Sequence, residues 1–156
     1  MTEGVSIRLL ALSDIAALAT VADGVFDDAI QPALMEEFLT DPRHHMVAAF
    51  DGGQIVGMAS AVHYLHPDKP PELWVNEIGV APDYESRGIG RALLRALFAH
   101  ARSLGCAEAW VGTEHDNLAA RRMYAAVGGA ERTCFASRSI WATKRRGREP
   151  AGRRYF

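Results

Sequence analysis

Apolar and polar positions change period along the chain, and each change marks an element. Val5 to Leu10 reads as a strand. Ser13-Asp14 is suited to cap a helix that carries Ile15, Leu18, Ala19, Ala22 and Phe26 on one face. A second helix is expected from Pro32, whose fixed φ fits the first helical position; it turns Leu34, Met35, Phe38 and Leu39 inward until Asp41-Pro42 stops it. The period then shortens. His45 to Phe50 and Gln54 to Val62 flank Asp51-Gly52-Gly53, a hairpin sequence. Tyr64 to Pro71 is a proline-rich loop, and Leu73 to Ala81 reads as a buried strand. A long helix is predicted from about Arg91 to Leu104, ended by Gly105. Ala107 to Thr113 follows as a strand, Asn117 to Val127 as a helix closed by Gly128-Gly129, and Arg132 to Ala142 as one or two further strands. The order β-α-α-β-β-β-α-β-α-β predicts an α/β fold of the mixed α+β kind, a central mixed sheet with helices on both faces.

Composition narrows the class. A chain of 156 residues, 49% hydrophobic and 23% charged, suits one globular domain and not a disordered polymer. No apolar run approaches the roughly 18 residues that span a bilayer, and Met1 to Leu10 carries two charges where a signal peptide would be apolar, so a cytoplasmic protein without membrane contact is expected. Cys106 and Cys134 lack disulfide-framework and zinc-finger spacing and read as reduced thiols. The net charge of −2 conceals an asymmetry: Met1 to Ser86 holds 3 basic and 14 acidic residues, Arg87 onward 14 basic and 5 acidic. Such a chain is suited to two oppositely charged ligands, or its halves attract each other or a second copy. The domain is expected over residues 1–143, with 144–156 a solvated basic tail and no nucleic-acid partner.

The strongest local signal runs from Val80-Ala81-Pro82 through Arg87-Gly88-Ile89-Gly90-Arg91 into a helix. Unpaired N–H groups at a helix start, the macrodipole, two glycines and two arginines suit a diphosphate. A Walker loop is excluded because no Gly-Lys pair occurs, and a dinucleotide fingerprint because Leu93 stands where a third glycine is needed. The turn resembles the pyrophosphate loop of the GNAT superfamily of acyl-CoA-dependent N-acyltransferases, with Glu85 in place of that pattern's Gln or Arg. The stretch Asn117 to Tyr124 with Val127-Gly128 is similar to the superfamily's later helix, and the hairpin Val47 to Ala61 to its second and third strands. The resemblance covers roughly residues 5–142. It implies acetyl-CoA (CoA) as co-substrate in a splayed cleft between strands four and five. The contacts it implies are Ile78, Val80, Arg87, Gly88, Ile89, Gly90, Arg91, Asn117, Ala120 and Tyr124, with Tyr124 protonating the departing thiolate.

An amine acceptor arrives protonated, and some group must take the proton. Glu77 is the candidate, a carboxylate in the otherwise core-like strand Trp74-Val75-Asn76-Glu77-Ile78-Gly79-Val80, where alternation sets Val75, Glu77 and Gly79 on one face. It is read as general base or amine anchor, with a structural carboxylate as the alternative. A carboxyl pKa near 4.3 lies about six units below an alkylamine's, an uphill step of roughly 8 kcal/mol, so Glu77 needs a raised pKa or a water relay. Glu114 or Asp116 is expected to share the load. Acidic residues of the first two helices suit a cationic acceptor, and the substrate-binding set expected is Asp27, Asp28, Glu37, Glu77 and Glu114. The chain looks most like the GNAT-type aminoglycoside 3-N-acetyltransferases, which implies an aminoglycoside acceptor and antibiotic resistance. Polyamines, a peptide N-terminus or a lysine remain open, as does a non-catalytic acyl-CoA-binding module. His44-His45 and His63, His66 lack ligand spacing, so no metal is expected. Exposed edge strands near the C-terminus make a homodimer plausible.

Overall fold

The computed structural model describes residues 4–132. Apart from Arg132 itself, the strands expected over Arg132–Ala142 lie outside them, as do Cys134 and the basic tail. Five strands form one sheet in sequence order: β1 (Val5–Leu9), β2 (His44–Asp51), β3 (Gln54–Tyr64), β4 (Glu72–Val80) and β5 (Glu108–Val111). The first three junctions are antiparallel and β4–β5 is parallel. Helices α1 (Pro32–Thr40), α2 (Ile89–Ser103) and α3 (Leu118–Ala126) complete the mixed α/β architecture, with 3₁₀ turns at Leu12–Thr20 and Pro82–Tyr84.

Alternation divides the sheet into two packed faces. Val47, Ala49, Val56, Ala59 and Ala61 pack against the Ile89, Leu93 and Leu97 row of α2, residues spaced four apart and therefore on one stripe. Gly57 lets that helix approach, since a Cβ there would stand 3.3 Å from the Ile89 and Leu93 side chains. On the other face Met46, Ala48, Phe50, Ile55 and Met58 are covered by Leu18, Val25 and Met35.

Two expectations are corrected. The helix expected from Ser13 to Phe26 is a 3₁₀ segment that ends at Thr20; its cap position is Ala11, whose N–H donates to Asp14 Oδ2 at 2.9 Å. The chain leaves helical geometry because Val21 bridges to Ile55 and the Ala22 N–H donates to the Ile55 carbonyl at 2.8 Å, after which Gly24 turns with φ 81°. The second correction concerns β4. Ser60 opposes Glu77 but Ala61 opposes Val75, so Asn76 is an extra, bulged residue. The bulge reverses the parity. Val75 shares the α2 face with Ile78, whereas Glu77 faces the opposite side with Gly79.

Candidate active site

The β4–β5 ladder ends at Val75↔Val111, while β4 continues to Val80. From Asn76 onward that edge of β4 has no strand partner among the described residues, so the two parallel strands separate at the bulge. Buried Ile78 and half-buried Val80 lie on this stretch.

Beyond β4 the chain makes a 3₁₀ turn and enters α2 through Ser86 (φ 59°) and Gly88 (φ 83°), both left-handed. The helix begins at Ile89, two residues before the position expected from sequence, and Gly88 offers no side-chain cap. Ala92 donates the first intrahelical bond, to the Gly88 carbonyl at 3.1 Å, so the N–H groups of Ile89, Gly90 and Arg91 have no helical acceptor. The Ile89 side chain is buried in the core, which aims its backbone at the turn. Gly90 allows α3 to close on α2, because a Cβ would stand 2.7 Å from Met123 Sδ. Arg87 lies over the Tyr84 ring, 4.8 Å from its centroid, and Tyr84 Oη donates to Asp51 Oδ2 at 2.7 Å. Through Tyr84 the end of β2 thereby holds the arginine at the turn that leads into α2. Exposed Glu85 caps the preceding 3₁₀ turn through its own N–H, bonded to the Pro82 carbonyl.

Helix α3 starts at Asn117, whose Oδ1 accepts the Ala120 N–H at 3.1 Å, a side-chain cap. Ala120 and Tyr124 are buried and join the cluster that contains Ile78. The Tyr124 hydroxyl is buried without a hydrogen-bond partner, and that burial pushes its pKa up to about 12. Arg121 is committed to the His115 carbonyl and to Glu131, while Arg122 is exposed.

On the other face of β4 lies a cleft of about 530 Å³. Glu77, Asn76, Ser60, Gln31, Asp27 and Asp28 supply its polar lining, and Phe26, Ile30, Leu34, Met35, Phe38 and Met46, with Ala29, the apolar one. Glu77 is half-buried, and its pKa is raised, first by burial and then by the charges of Asp27 and Asp28. Gly79 makes this approach possible. A Cβ at Gly79 would fall 1.9 Å from the Val25 carbonyl oxygen, so the segment that carries Asp27 and Asp28 rests directly on β4.

Not every carboxylate in the expected acceptor set reaches the cleft. Asp27, Asp28 and Glu77 share it, whereas Glu37 lines a separate depression with Glu36, Thr40 and Asp41, and Glu114 is exposed beyond β5. Ser60, Asn76 and the apolar wall were missed from sequence; the one available signal was the adjacent polar pair Asn76-Glu77, which breaks strand alternation. Among the described residues no group of three or more His, Cys, Asp or Glu is placed to hold a metal. His45 instead bridges His63 at 2.8 Å and His100 at 3.0 Å, and burial lowers its pKa to about 4. No helix among the described residues is long and apolar enough to cross a membrane.

This combination of a bulged, half-open β4 with a glycine turn at the α2 N-terminus defines an acyl-CoA-dependent acetyltransferase fold, and the chain belongs to the acetyltransferase (GNAT) family, whose model matches residues 12–128. The chain is 38% identical over 129 residues to the N-alpha-acetyltransferase RimI of Mycobacterium tuberculosis, covering 81% of this chain and 79% of that one. Its fold is similar to the aminoglycoside acetyltransferase meta-AAC0020 from an uncultured soil metagenomic sample, solved with sisomicin (TM-score 0.78, 16% identity, 90% of this chain and 98% of that one). It is also similar to the aminoglycoside N-acetyltransferase AAC(6')-Iy solved with CoA (TM-score 0.66, 25% identity, 90% and 95%). GNAT acetyltransferases use acetyl-CoA and move the acetyl group to an amine.

Proposed function

We propose that this chain acetylates a primary amine held as its ammonium beside Glu77, with acetyl-CoA bound along the open edge of β4 and its diphosphate at the start of α2. The observation that carries the reading is the half-buried Glu77 carboxylate on β4, at the stretch where β4 runs on past the end of its pairing with β5. Ile89, Gly90 and Arg91 present N–H groups to the diphosphate, and Arg87 adds a full positive charge there. Asp27, Asp28 and Glu77 attract the ammonium. Glu77 then takes one proton, directly or through water, and the freed lone pair forms the C–N bond at the thioester carbonyl as the C–S bond breaks. Tyr124 gives its proton to the thiolate and regains one from the nitrogen as the amide forms. A phenol whose pKa is raised to about 12 stays protonated until that moment.

Magnitudes favour an α-amine over an alkylamine as acceptor. A peptide N-terminus has a pKa of about 7.7–8.0 against about 10.4 for lysine, so giving up its proton to the same carboxylate is less uphill by about 2.5 units. The activity named for RimI, at 38% identity, supports the same choice. An aminoglycoside is the second reading; it rests on the three clustered carboxylates and on the fold shared with meta-AAC0020. The test is thiol release from acetyl-CoA with peptides, a lysine side chain, spermidine and gentamicin as acceptors. Acceptor-dependent release that Glu77→Gln lowers at least about 100-fold, with acetyl-CoA affinity retained, supports the proposal. Binding without release for any amine would instead leave an acyl-CoA-binding module.

A further inference from the structure

The cleft beside Glu77 is more apolar than binding an ammonium requires, and its floor is ordered. Met46 pairs with Ser60 across β2–β3, and Ser60 pairs with Glu77 across β3–β4, so the three side chains stand in a row across one face of the sheet. Neighbouring strands are about 4.8 Å apart, which puts Met46 about 10 Å from Glu77 with only the small Ser60 between them. The row is a trough, carboxylate at one end and thioether at the other. Met35 and Phe38 of α1 pack in the same cluster as Met46, and Phe26, Ile30 and Leu34 complete the apolar lining.

From this we infer, building on the proposed function, that the acceptor carries a large apolar side chain, aliphatic or aromatic, on the carbon next to its amine, seated in the trough between Ser60 and Met46. An ammonium within hydrogen-bond reach of Glu77 leaves room for a substituent of Leu, Met or Phe length before Met46 is met. Charge complementarity fixes the direction, since Asp27, Asp28 and Glu77 are the cleft's carboxylates among the described residues and draw the amine to the β4 end. A polyhydroxylated amine laid along the same floor would meet only Ser60, Asn76 and Gln31 as neutral hydrogen-bonding partners, and its other hydroxyls would lose water against apolar side chains that return no hydrogen bonds. Gly, Ser or Asp beside the amine would leave the trough unfilled or bury a polar group in it. The same chemistry is offered by a peptide N-terminus and by a single amino-acid amide.

The experiment measures kcat/KM at saturating acetyl-CoA for peptides that differ only in their first residue, with leucinamide and gentamicin alongside. Leu, Met or Phe in first place is expected to exceed Gly and Ser by at least about tenfold. A leucinamide rate close to that of the Leu-first peptide identifies the single residue as the unit read; a much lower one identifies the peptide, and both agree with the inference. Leu34→Asp, on an exposed part of the lip, is expected to shrink the Leu-over-Gly ratio several-fold with the melting temperature unchanged. Equal rates for Leu- and Gly-first peptides, or gentamicin outpacing every peptide, would overturn the inference while leaving the transferase intact. Absence of transfer to any amine would overturn both.

Discussion

Glu77 shows how its surroundings shift one carboxylate towards the base role proposed for it. Burial raises its pKa, and Asp27 and Asp28 raise it further because a third negative charge in the same cleft is disfavoured. The proposed reaction needs the carboxylate form, so kcat/KM should fall as pH drops through this raised pKa. Asp27→Asn removes one of the repelling charges, and the acid limb of the pH–kcat/KM profile is expected to move to lower pH. A limb that stays in place or moves upward would show that Asp27 does not act on Glu77. The raised pKa was not legible in the sequence, because Asp27 and Glu77 are fifty residues apart and meet only through Gly79. Tyr124, in contrast, was legible as a matched position on α3, though its lack of a partner is a property of the packed cluster around it.

At the level of elements, β4 separates two tasks. In the proposed reaction its unpaired edge after Val75 takes the acyl-CoA side and its Glu77 face the acceptor, with the Asn76 bulge setting both at one point. A bulge re-aims every side chain after it, which is why simple alternation placed Val75 on the wrong face. The α2 turn was readable because glycine spacing reports backbone demands directly: Gly88 adopts φ 83°, and Gly90 is pressed by Met123. Helix α1 was readable as an element but not in its assignment of carboxylates. Each helical residue rotates about 100°, so with Met35 and Phe38 turned to the cleft, Glu37 points elsewhere. Gly79→Ala tests how the acceptor segment is mounted. Its methyl group would force the Val25 backbone off β4, and we expect a loss of about 2 kcal/mol or more, seen as a melting temperature several degrees lower, together with reduced kcat/KM for the amine. An unchanged melting temperature would mean that this contact is slack.

Across the whole molecule the acidic N-terminal half contributes Asp27, Asp28 and Glu77 to the cleft, and the basic half supplies Arg87 and Arg91 at the start of α2. The asymmetry was visible in the sequence; its spatial use required the fold. At the far end of β4, Glu72 fastens the sheet. It accepts from Tyr64 Oη at 2.7 Å and Trp110 Nε1 at 3.0 Å and pairs with Lys69, which together with Tyr64 lowers its pKa to about 2. Because the folded-state pKa is depressed, this stabilisation is present above the ordinary carboxyl value of 4.5 and is lost as pH falls towards about 2. Glu72→Gln should therefore lower the melting temperature at neutral pH, and the deficit should shrink across that window; a deficit independent of pH would assign the effect to packing alone. The overall architecture was legible because a single 156-residue chain offers few ways to arrange these elements around one sheet. The central claim, that one strand brings acyl donor and amine together, is tested most directly by a crystal structure with acetyl-CoA bound. The account predicts the diphosphate on the nitrogens of Ile89, Gly90 and Arg91 and the thioester beside the unpaired edge of β4, opening toward Glu77. A diphosphate seated away from the α2 N-terminus, or a thioester facing away from that cleft, would contradict it.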